Sequence, residues 1–172
     1  MNDTAQKLIT SPIGRDIIKY FETFQPAKYT CPAGRLTIGY GHVILPFEDF
    51  PKPITIEQAD EILTRDLSAI HEILNDRDPP VGLRLSRNPP PYKQHEFDAL
   101  ASFIFNCGSE NYLNSTLRRH VAAGLMSDAA EQLPRWVYAT VDGKKTQLRG
   151  LVRRRAAERR LFETGIFDPK LA

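Results

Sequence analysis

The chain has 172 residues, of which 41% are hydrophobic, a size and composition that suit one folded domain and exclude a disordered protein. Its 23 basic and 21 acidic residues nearly cancel, so the overall charge indicates no anionic partner. Two cysteines, Cys31 and Cys107, are too few for a disulfide framework, and we expect free thiols. The sequence has no evident export signal or apolar span, so a cytosolic protein is expected.

The first predicted element is a helix over residues 12–25. Ser11 is a typical helix cap and Pro12 suits the first helical position, while Pro26 is expected to end the helix. Four apolar residues at helical spacing form its predicted buried face, namely Ile13, Ile17, Ile18 and Phe21. Glu22 lies beside this face in the last turn. A carboxyl group there is a candidate general acid, and the alternative is a boundary glutamate whose head group reaches water.

Residues 28–44 predict a β-hairpin. Its first strand ends at Cys31, a Pro-Ala-Gly turn follows, and the second strand begins at Leu36. Because Cys31 precedes the turn and Thr37 follows it, both side chains can approach the end of the first helix. Taken alone, the cysteine suits a small buried position and the threonine an ordinary strand position. Together with Glu22 they predict one small polar site.

A second helix is predicted from the capping box at Thr55, and an apolar stripe continues it to Leu74. Residues 76–91 contain five prolines, which predicts a connector between a smaller N-terminal part and a helical remainder. The segment 96–107 is apolar on nearly all sides, which indicates a central buried helix that ends at Gly108.

Three further helices are predicted in the C-terminal part. Glycines follow the first and the last of them, as in many helix C-terminal caps. They cover residues 115–123, residues 127–136 with a kink at Pro134, and residues 151–164.

The segment around the hairpin resembles the phage-type lysozymes, or endolysins, of glycoside hydrolase family 24. The site pattern of that family is Glu, eight residues, Asp or Cys, five residues and Thr, within a segment that ends TIGYGH. Glu22, Cys31 and Thr37 stand at these spacings, and TIGYGH occupies residues 37–42. The resemblance continues over nearly the whole chain in TIEQADEILTRDL, FDALASFIFNCG, NSTLRRH, RWVYA and GLVRRRAAERRLF.

This resemblance implies a mostly α-helical α+β fold with two lobes and a small antiparallel β-sheet in the N-terminal lobe. Residues 1–172 would form a single catalytic domain. The N-terminal lobe is expected over about residues 25–75, the proline-rich connector over residues 76–91, and the helical C-terminal lobe over residues 92–172. The first helix, residues 12–25, is expected to pack with the C-terminal lobe.

The activity that the resemblance implies is hydrolysis of the β-1,4 bond between N-acetylmuramic acid and N-acetylglucosamine in peptidoglycan. By position, Glu22 would be the general acid, while Cys31 and Thr37 would act on the opposite face of the sugar. Glycosidases usually pair two carboxylates, and this chain offers a thiol instead of the second. Cys31 could be a nucleophile, a base or an anchor for a water that Thr37 also holds, and the sequence leaves these roles open. No cofactor and no metal are implied.

Further positions are carried over as substrate contacts. They are Val43, Phe105, Thr116, Gln132 and Arg154. The alternative for Phe105 is a core residue, and the alternative for Gln132 is a solvated helix position. His42, at the end of the glycine-rich strand, is expected to be structural and to pair with Asp66 on the next helix.

The last predicted helix carries a run of arginines. Clustered arginines can bind nucleic-acid phosphate, but no nucleic-acid motif accompanies the run and the rest of the chain balances its charge. The alternative is a solvated helix face. We expect Arg154 and its neighbours to border the cleft and attract the anionic cell wall. The run comprises Arg149, Arg153, Arg154, Arg155, Arg159 and Arg160.

Other functions remain as alternatives. A lytic transglycosylase cleaves the same bond with one acid and no water, and a wall-binding relative would keep the fold without turnover. For the endolysin we expect a monomer in the host cytoplasm that binds no nucleic acid. It would reach peptidoglycan after a membrane-permeabilising holin acts.

Overall fold

The computed structural model describes residues 7–31, 34–75 and 93–172. The connector predicted at residues 76–91 and two residues of the hairpin turn, 32 and 33, lie outside the described residues. The helices are α1 (Pro12–Glu22), α2 (Ile56–Asn75), α3 (Gln94–Cys107), α4 (Ser109–Leu113), α5 (Thr116–Ala122), α6 (Met126–Ala130) and α7 (Arg149–Thr164). The strands are β1 (Gln25–Thr30), β2 (Leu36–Gly39), β3 (His42–Val43), β4 (Tyr138–Val141) and β5 (Lys144–Gln147). Short 3₁₀ turns cover Leu133–Arg135 and Pro169–Leu171.

Helix α1 begins as predicted, with Ser11 as its cap and Pro12 at the first position. The Ser11 hydroxyl accepts from the N–H of Gly14, and the buried carboxylate of Asp98 on α3 accepts from both the N–H and the hydroxyl of Ser11. A side chain at Gly14 would stand 2.6 Å from this carboxylate. The start of α1 is therefore fixed against the central helix.

The predicted end of α1 is wrong by three residues. The helix ends at Glu22 because Thr23 adopts a positive φ of 58°, and Pro26 lies inside β1. Strand β1 is an edge of the sheet, a place where proline is tolerated because no ladder hydrogen bond is lost on the outer side. The predicted buried face is also wrong at Ile13, which is 45% exposed, whereas Ile17 and Ile18 are fully buried.

The first sheet has the order β1-β2-β3 and both pairs are antiparallel. The predicted hairpin is confirmed, and β3 adds a strand that was not predicted. Gly39 and Gly41, which the sequence marked as bends, have φ values of 65° and 86°. Helix α2 packs on this sheet, and its capping box is present: the N–H of Thr55 donates to Gln58 Oε1 and the N–H of Gln58 donates to Thr55 Oγ1.

Helix α3 is the centre of the molecule. It packs against α1, α2 and α7, and every residue from Glu96 to Ile104 is buried, which confirms the predicted central helix. Gly108 ends it with a φ of 87°. The apolar core is continuous around α3 and reaches the sheet through Ile38 and Tyr40. The central helix therefore connects the sheet that carries half of the predicted site to α7.

Three features of the C-terminal part differ from the sequence prediction. The short helix α4 was not predicted. The helix predicted over residues 127–136 is instead α6 followed by a separate 3₁₀ turn, with Pro134 inside that turn. The antiparallel hairpin of β4 and β5 was not predicted. Asp142 and Gly143 join its strands with positive φ at both positions, which is a type I′ turn. Helix α7 begins two residues before the predicted start at Leu151, and its predicted end at Thr164 with Gly165 as the cap is confirmed.

Candidate active site

Glu22 is the last residue of α1, so its side chain emerges where the helix meets the sheet. The side chain is 20% exposed, and its Oε1 accepts a hydrogen bond from Nη1 of Arg154 on α7. The two residues are 132 positions apart in the chain. The guanidinium therefore holds one oxygen of the carboxyl group, and the second oxygen is directed towards the turn between β2 and β3.

That second oxygen lies against the backbone of Gly41. A Cβ atom added to Gly41 would stand 3.2 Å from Oε2 of Glu22 and 4.0 Å from the ring of Phe105. The positive φ of Gly41 independently favours glycine. The β2–β3 turn, α1 and the half-buried ring of Phe105 on α3 thus meet around the carboxyl group.

The other two predicted catalytic residues share one face of the first sheet. Thr37 on β2 is the direct partner of Tyr29 on β1 and of Val43 on β3, so these three side chains project from the same face. Cys31 lies two residues after Tyr29, and by strand alternation it continues this face. Val43, a predicted substrate contact, is therefore on the same face as the predicted catalytic pair.

The carbonyl oxygen of Arg35 ties this pair to the sheet. It accepts from the Thr37 hydroxyl at 3.0 Å and from the N–H of Cys31 at 2.9 Å. Thr37 is 2% exposed, whereas Cys31 is half-buried. Because the hydroxyl proton of Thr37 is used in this bond, its oxygen is presented as an acceptor. Among the described residues, Cys31 and Cys107 are thiols that form no disulfide, as predicted.

Tyr29 belongs to this site and was not predicted. Burial raises the pKa of its hydroxyl, and the charges of Glu22 and Cys31 raise it further. The effects of these two charges mean that the phenol lies within electrostatic reach of both Glu22 and Cys31. The position of Tyr29 two residues before Cys31, in the predicted first strand of the hairpin, was the signal in the sequence that could have identified it.

Arg154 is buried, with 4% of its side chain exposed, and each part of its guanidinium has a partner. Nη1 donates to Glu22, Nε donates to Glu158 at 3.1 Å, and Nη2 donates to the carbonyl oxygen of Ser102 at 3.2 Å. Its plane also lies over the ring of Phe21, 5.5 Å from the centroid. Burial alone lowers the pKa of Arg154, but the carboxylates of Glu158 and Glu22 outweigh it and the pKa is raised.

Arg154 and its neighbours were expected to border the cleft and attract the cell wall, and the burial of Arg154 and Arg155 conflicts with the second part of this prediction. Arg154 and Arg155 are 3% and 0% exposed and are both paired with the buried Glu158, because they face α3 rather than solvent. Arg153 is exposed but donates to the backbone oxygen of Ala172 and to the hydroxyl of Tyr20.

The remaining predicted substrate contacts have local hydrogen bonds. Thr116 is the first residue of α5, and its hydroxyl accepts from Nη2 of Arg119 at 2.7 Å. Gln132 lies between α6 and the 3₁₀ turn, where its Oε1 accepts from Nη1 of Arg135 at 3.0 Å. Both side chains are half-buried on the C-terminal side of the molecule.

His42 is a structural residue at the end of the site segment, as predicted. Its Nδ1 bonds to the carboxylate of Asp66 at 2.9 Å, and its Nε2 bonds to Glu48 at 2.7 Å. The hydrogen bond to Asp66 is the largest effect on the pKa of His42 and raises it, and Glu48 adds to this against the opposing effect of burial. The ring therefore clamps β3 between α2 and the loop that follows β3.

Comparison with known proteins gives a consistent result along nearly the whole chain. The sequence profile of the family described as phage lysozyme matches residues 19–158. An endolysin of Acyrthosiphon pisum secondary endosymbiont phage 1 is 36% identical over 152 residues, which cover 88% of this chain and 95% of the relative.

Two solved structures are similar in fold and sequence. The endolysin from Escherichia coli O157:H7 phage FAHEc1 has a TM-score of 0.81 and 30% identity, covering 95% of this chain and 98% of that chain. The muramidase domain of SpmX from Asticaccaulis excentricus has a TM-score of 0.75 and 36% identity, covering 90% and 97%.

The two-lobed helical fold, with a glutamate between a small sheet and a helical layer, is that of a lysozyme-like enzyme. The chain belongs to the phage lysozyme family. It is a lysozyme of the endolysin type, which hydrolyses the β-1,4 bonds of bacterial peptidoglycan. Within residues 7–31, 34–75 and 93–172, the structure has no helix whose length and apolar character would allow it to cross a membrane.

Proposed function

We propose that Glu22 is the general acid of this reaction and protonates the leaving oxygen of the glycosidic bond. The observation that carries the proposal is the double constraint on its carboxyl group: Arg154 holds one oxygen and the turn at Gly41 confines the other. Arg154 also stabilises the carboxylate that remains once the proton has been given. A positioned acid of this kind accelerates a reaction about 10²–10⁴-fold.

Cys31 and Thr37 act, in this proposal, on the opposite face of the sugar. Their support is their shared face of the sheet and their common hydrogen-bond partner, the carbonyl oxygen of Arg35. The acceptor oxygen of Thr37 and the thiol of Cys31 would hold the attacking water between them. A site that holds a water favours hydrolysis over the transglycosylase reaction, which proceeds without one.

Four side chains are proposed to contact the glycan: Val43, Phe105, Thr116 and Gln132. Phe105 is supported by its ring edge near Glu22 and Val43 by its place beside Thr37. Thr116 and Gln132 rest on the family resemblance alone. Arg154 is not proposed to attract the cell wall, because its guanidinium is buried. It is proposed to hold Glu22 instead, while Glu158 and the carbonyl oxygen of Ser102 hold the guanidinium.

The experiment is a comparison of Glu22→Gln with the parent on purified peptidoglycan. Glutamine keeps the acceptor for Arg154 but has no proton to give, so the clearing rate should fall at least about 10²-fold while the circular dichroism spectrum is unchanged. Glu163→Gln is the matched control, because Glu163 is an exposed glutamate that pairs with an arginine on α7 away from the site. An active Glu22→Gln variant would move the acid to another residue.

Product analysis separates the two chemistries. Hydrolysis leaves a reducing N-acetylmuramic acid end, whereas a transglycosylase leaves an anhydro-muramyl end. Reducing ends from the parent, in step with the loss of turbidity, are the expected result. Anhydro ends would contradict the proposed role of Cys31 and Thr37.

We propose further that the enzyme is a monomer, accumulates in the host cytoplasm and reaches the wall when a holin permeabilises the membrane. The location of the substrate supports this, since peptidoglycan lies outside the membrane that encloses the cytoplasm. Expression in a bacterial host with and without a holin tests it. Lysis only in the presence of the holin is expected, and light scattering should give the mass of one chain.

A further inference from the structure

Glu158 lies at the centre of a buried charged network between α7 and α3. Its side chain is completely buried. Oε1 accepts from Nε of Arg154 at 3.1 Å and from the hydroxyl of Ser102 at 2.8 Å, while Oε2 lies 3.0 Å from Nε of Arg155. One carboxylate thus serves two buried arginines, of which one also binds Glu22.

The shape of the guanidinium makes Glu158 important for Glu22. The group is planar and its donors have fixed directions, so holding two of them determines where the third one points. Glu158 holds Nε of Arg154 and the carbonyl oxygen of Ser102 holds Nη2, which leaves Nη1 directed at Glu22.

We propose that Glu158 is a positioning residue for the lysozyme reaction, which aims Arg154 at Glu22 and offsets part of its positive charge. The inference rests on the proposed role of Glu22 as the acid. A general acid must be protonated to act, and an adjacent arginine favours its ionised form. Glu158 shares the charge of Arg154, so the guanidinium is held in place at Glu22 with a smaller net positive charge beside the acid.

Arg155 acts in the opposite direction through the same carboxylate. Its Nη2 donates to Glu158 and to Oδ1 of Asn106, and its Nη1 donates to the sulfur of Cys107 at 3.0 Å. Burial raises the pKa of the Cys107 thiol, so it is a neutral partner at neutral pH. Glu158 is therefore the negative charge that Arg154 and Arg155 divide, and removing Arg155 would leave more of that charge for Arg154.

The charged and titratable groups around Glu22 and the buried network come from four elements. They are Glu22 on α1, Tyr29 on β1 with Cys31 after it, Cys107 on α3, and Arg154, Arg155 and Glu158 on α7.

The test compares pH profiles of the initial clearing rate for the parent, Glu158→Gln and Arg155→Gln. Without Glu158, Arg154 keeps its full positive charge beside the acid, and the alkaline limb of the pH profile should move to lower pH. Without Arg155, Glu158 neutralises Arg154 more completely, and the alkaline limb of the pH profile should move to higher pH. Both variants lose one member of the same buried pair, so a purely structural role would lower the rates without opposite shifts.

Glu163→Gln is the matched control, since Glu163 also pairs with an arginine at i−4 on α7, but is exposed and separate from the network. Its profile should equal that of the parent. If Glu158→Gln melts below the assay temperature, the pH profile of Arg155→Gln is the deciding measurement. Arg155→Lys keeps the positive charge, so the alkaline limb of its profile should equal that of the parent.

If the alkaline limbs of Glu158→Gln and Arg155→Gln move in the same direction, the inference about Glu158 is wrong. It is also wrong if the limb stays in place in every folded variant while the parent is active. In both cases the proposed role of Glu22 is unaffected. A parent without turnover, or an active Glu22→Gln variant, would overturn the proposed role of Glu22 and this inference with it.

Discussion

Replacing Gly41 by alanine tests whether the turn between β2 and β3 sets the orientation of Glu22. The added Cβ atom would stand 3.2 Å from Oε2 of Glu22, closer than ordinary van der Waals contact, so the carboxyl group must move by a few tenths of an ångström. Because Arg154 holds the other oxygen, this displacement rotates the group away from its observed orientation. A misplacement of about 1 Å can cost 10²-fold in rate, so we expect a loss of about tenfold here.

The backbone contributes a separate effect on stability. Gly41 has a φ of 86°, and an L-residue in the left-handed region costs about 1–2 kcal/mol. The free energy of unfolding should fall by about this amount. Gly143→Ala is the matched control, because Gly143 has a φ of 73° and its added Cβ atom would meet nothing within 4 Å.

The assay combines urea unfolding with initial rates of peptidoglycan clearing at a temperature where both variants are folded. We expect both alanine variants to lose similar stability, and Gly41→Ala alone to lose activity. Equal activity of the two variants would show that the contact with Gly41 does not orient Glu22. A loss in Gly41→Ala that matches its unfolded fraction would refute the reasoning in the same way.

Substitution of Cys31 distinguishes a catalytic role from a packing role. Cys31→Asp should retain lysis because it supplies an ionised acceptor, whereas Cys31→Ala should lower the clearing rate by about 10²-fold. An alanine variant as active as the parent would make Cys31 a packing residue. The His42 clamp predicts a stability that depends on pH. Because its pKa is raised above the ordinary 6.5, chiefly by Asp66, its contribution is complete below pH 6.5 and is lost as pH rises through the raised value. The difference in Tm between the parent and His42→Asn should therefore be largest below pH 6.5 and narrow as the pH rises above it. A difference that stays constant with pH would contradict this prediction.

Local signals in the sequence predicted most helix limits. Ser11 with Pro12, the capping box at Thr55, and the glycines at 108 and 165 each act through the backbone of their own turn, so they needed no tertiary information. The end of α1 could not be predicted from Pro26, because proline ends a helix but is also accepted at the edge of a sheet, where Pro26 lies.

The β4–β5 hairpin was missed because its strands are largely exposed and show no alternation of apolar and polar residues. Its signal was the Asp142-Gly143 pair, which is typical of a type I′ turn. The lobe boundaries at residues 76–91 stay a prediction, since that segment lies outside the described residues.

The site was only half predictable. The spacing of Glu22, Cys31 and Thr37 is local, and the confirmed hairpin supports their grouping. Their catalytic roles stay predictions. The partnership of Glu22 with Arg154 could not be read from a run of arginines, because such a run is usually a solvated face. Glu158, three and four residues after two of those arginines, was the clue that part of the run is paired.

The burial of this charged network is itself an argument for a role in function. Moving charged groups out of water has a large desolvation cost, and replacing a buried ion pair by well-packed apolar residues is often neutral or stabilising. Stability alone therefore does not explain why Arg154, Arg155 and Glu158 are buried. What apolar residues could not supply is a fixed cation at Glu22. Because the acid lies on α1 and its cation on α7, the two elements meet only in the folded chain, with α3 supplying the carbonyl oxygen that holds the guanidinium in place.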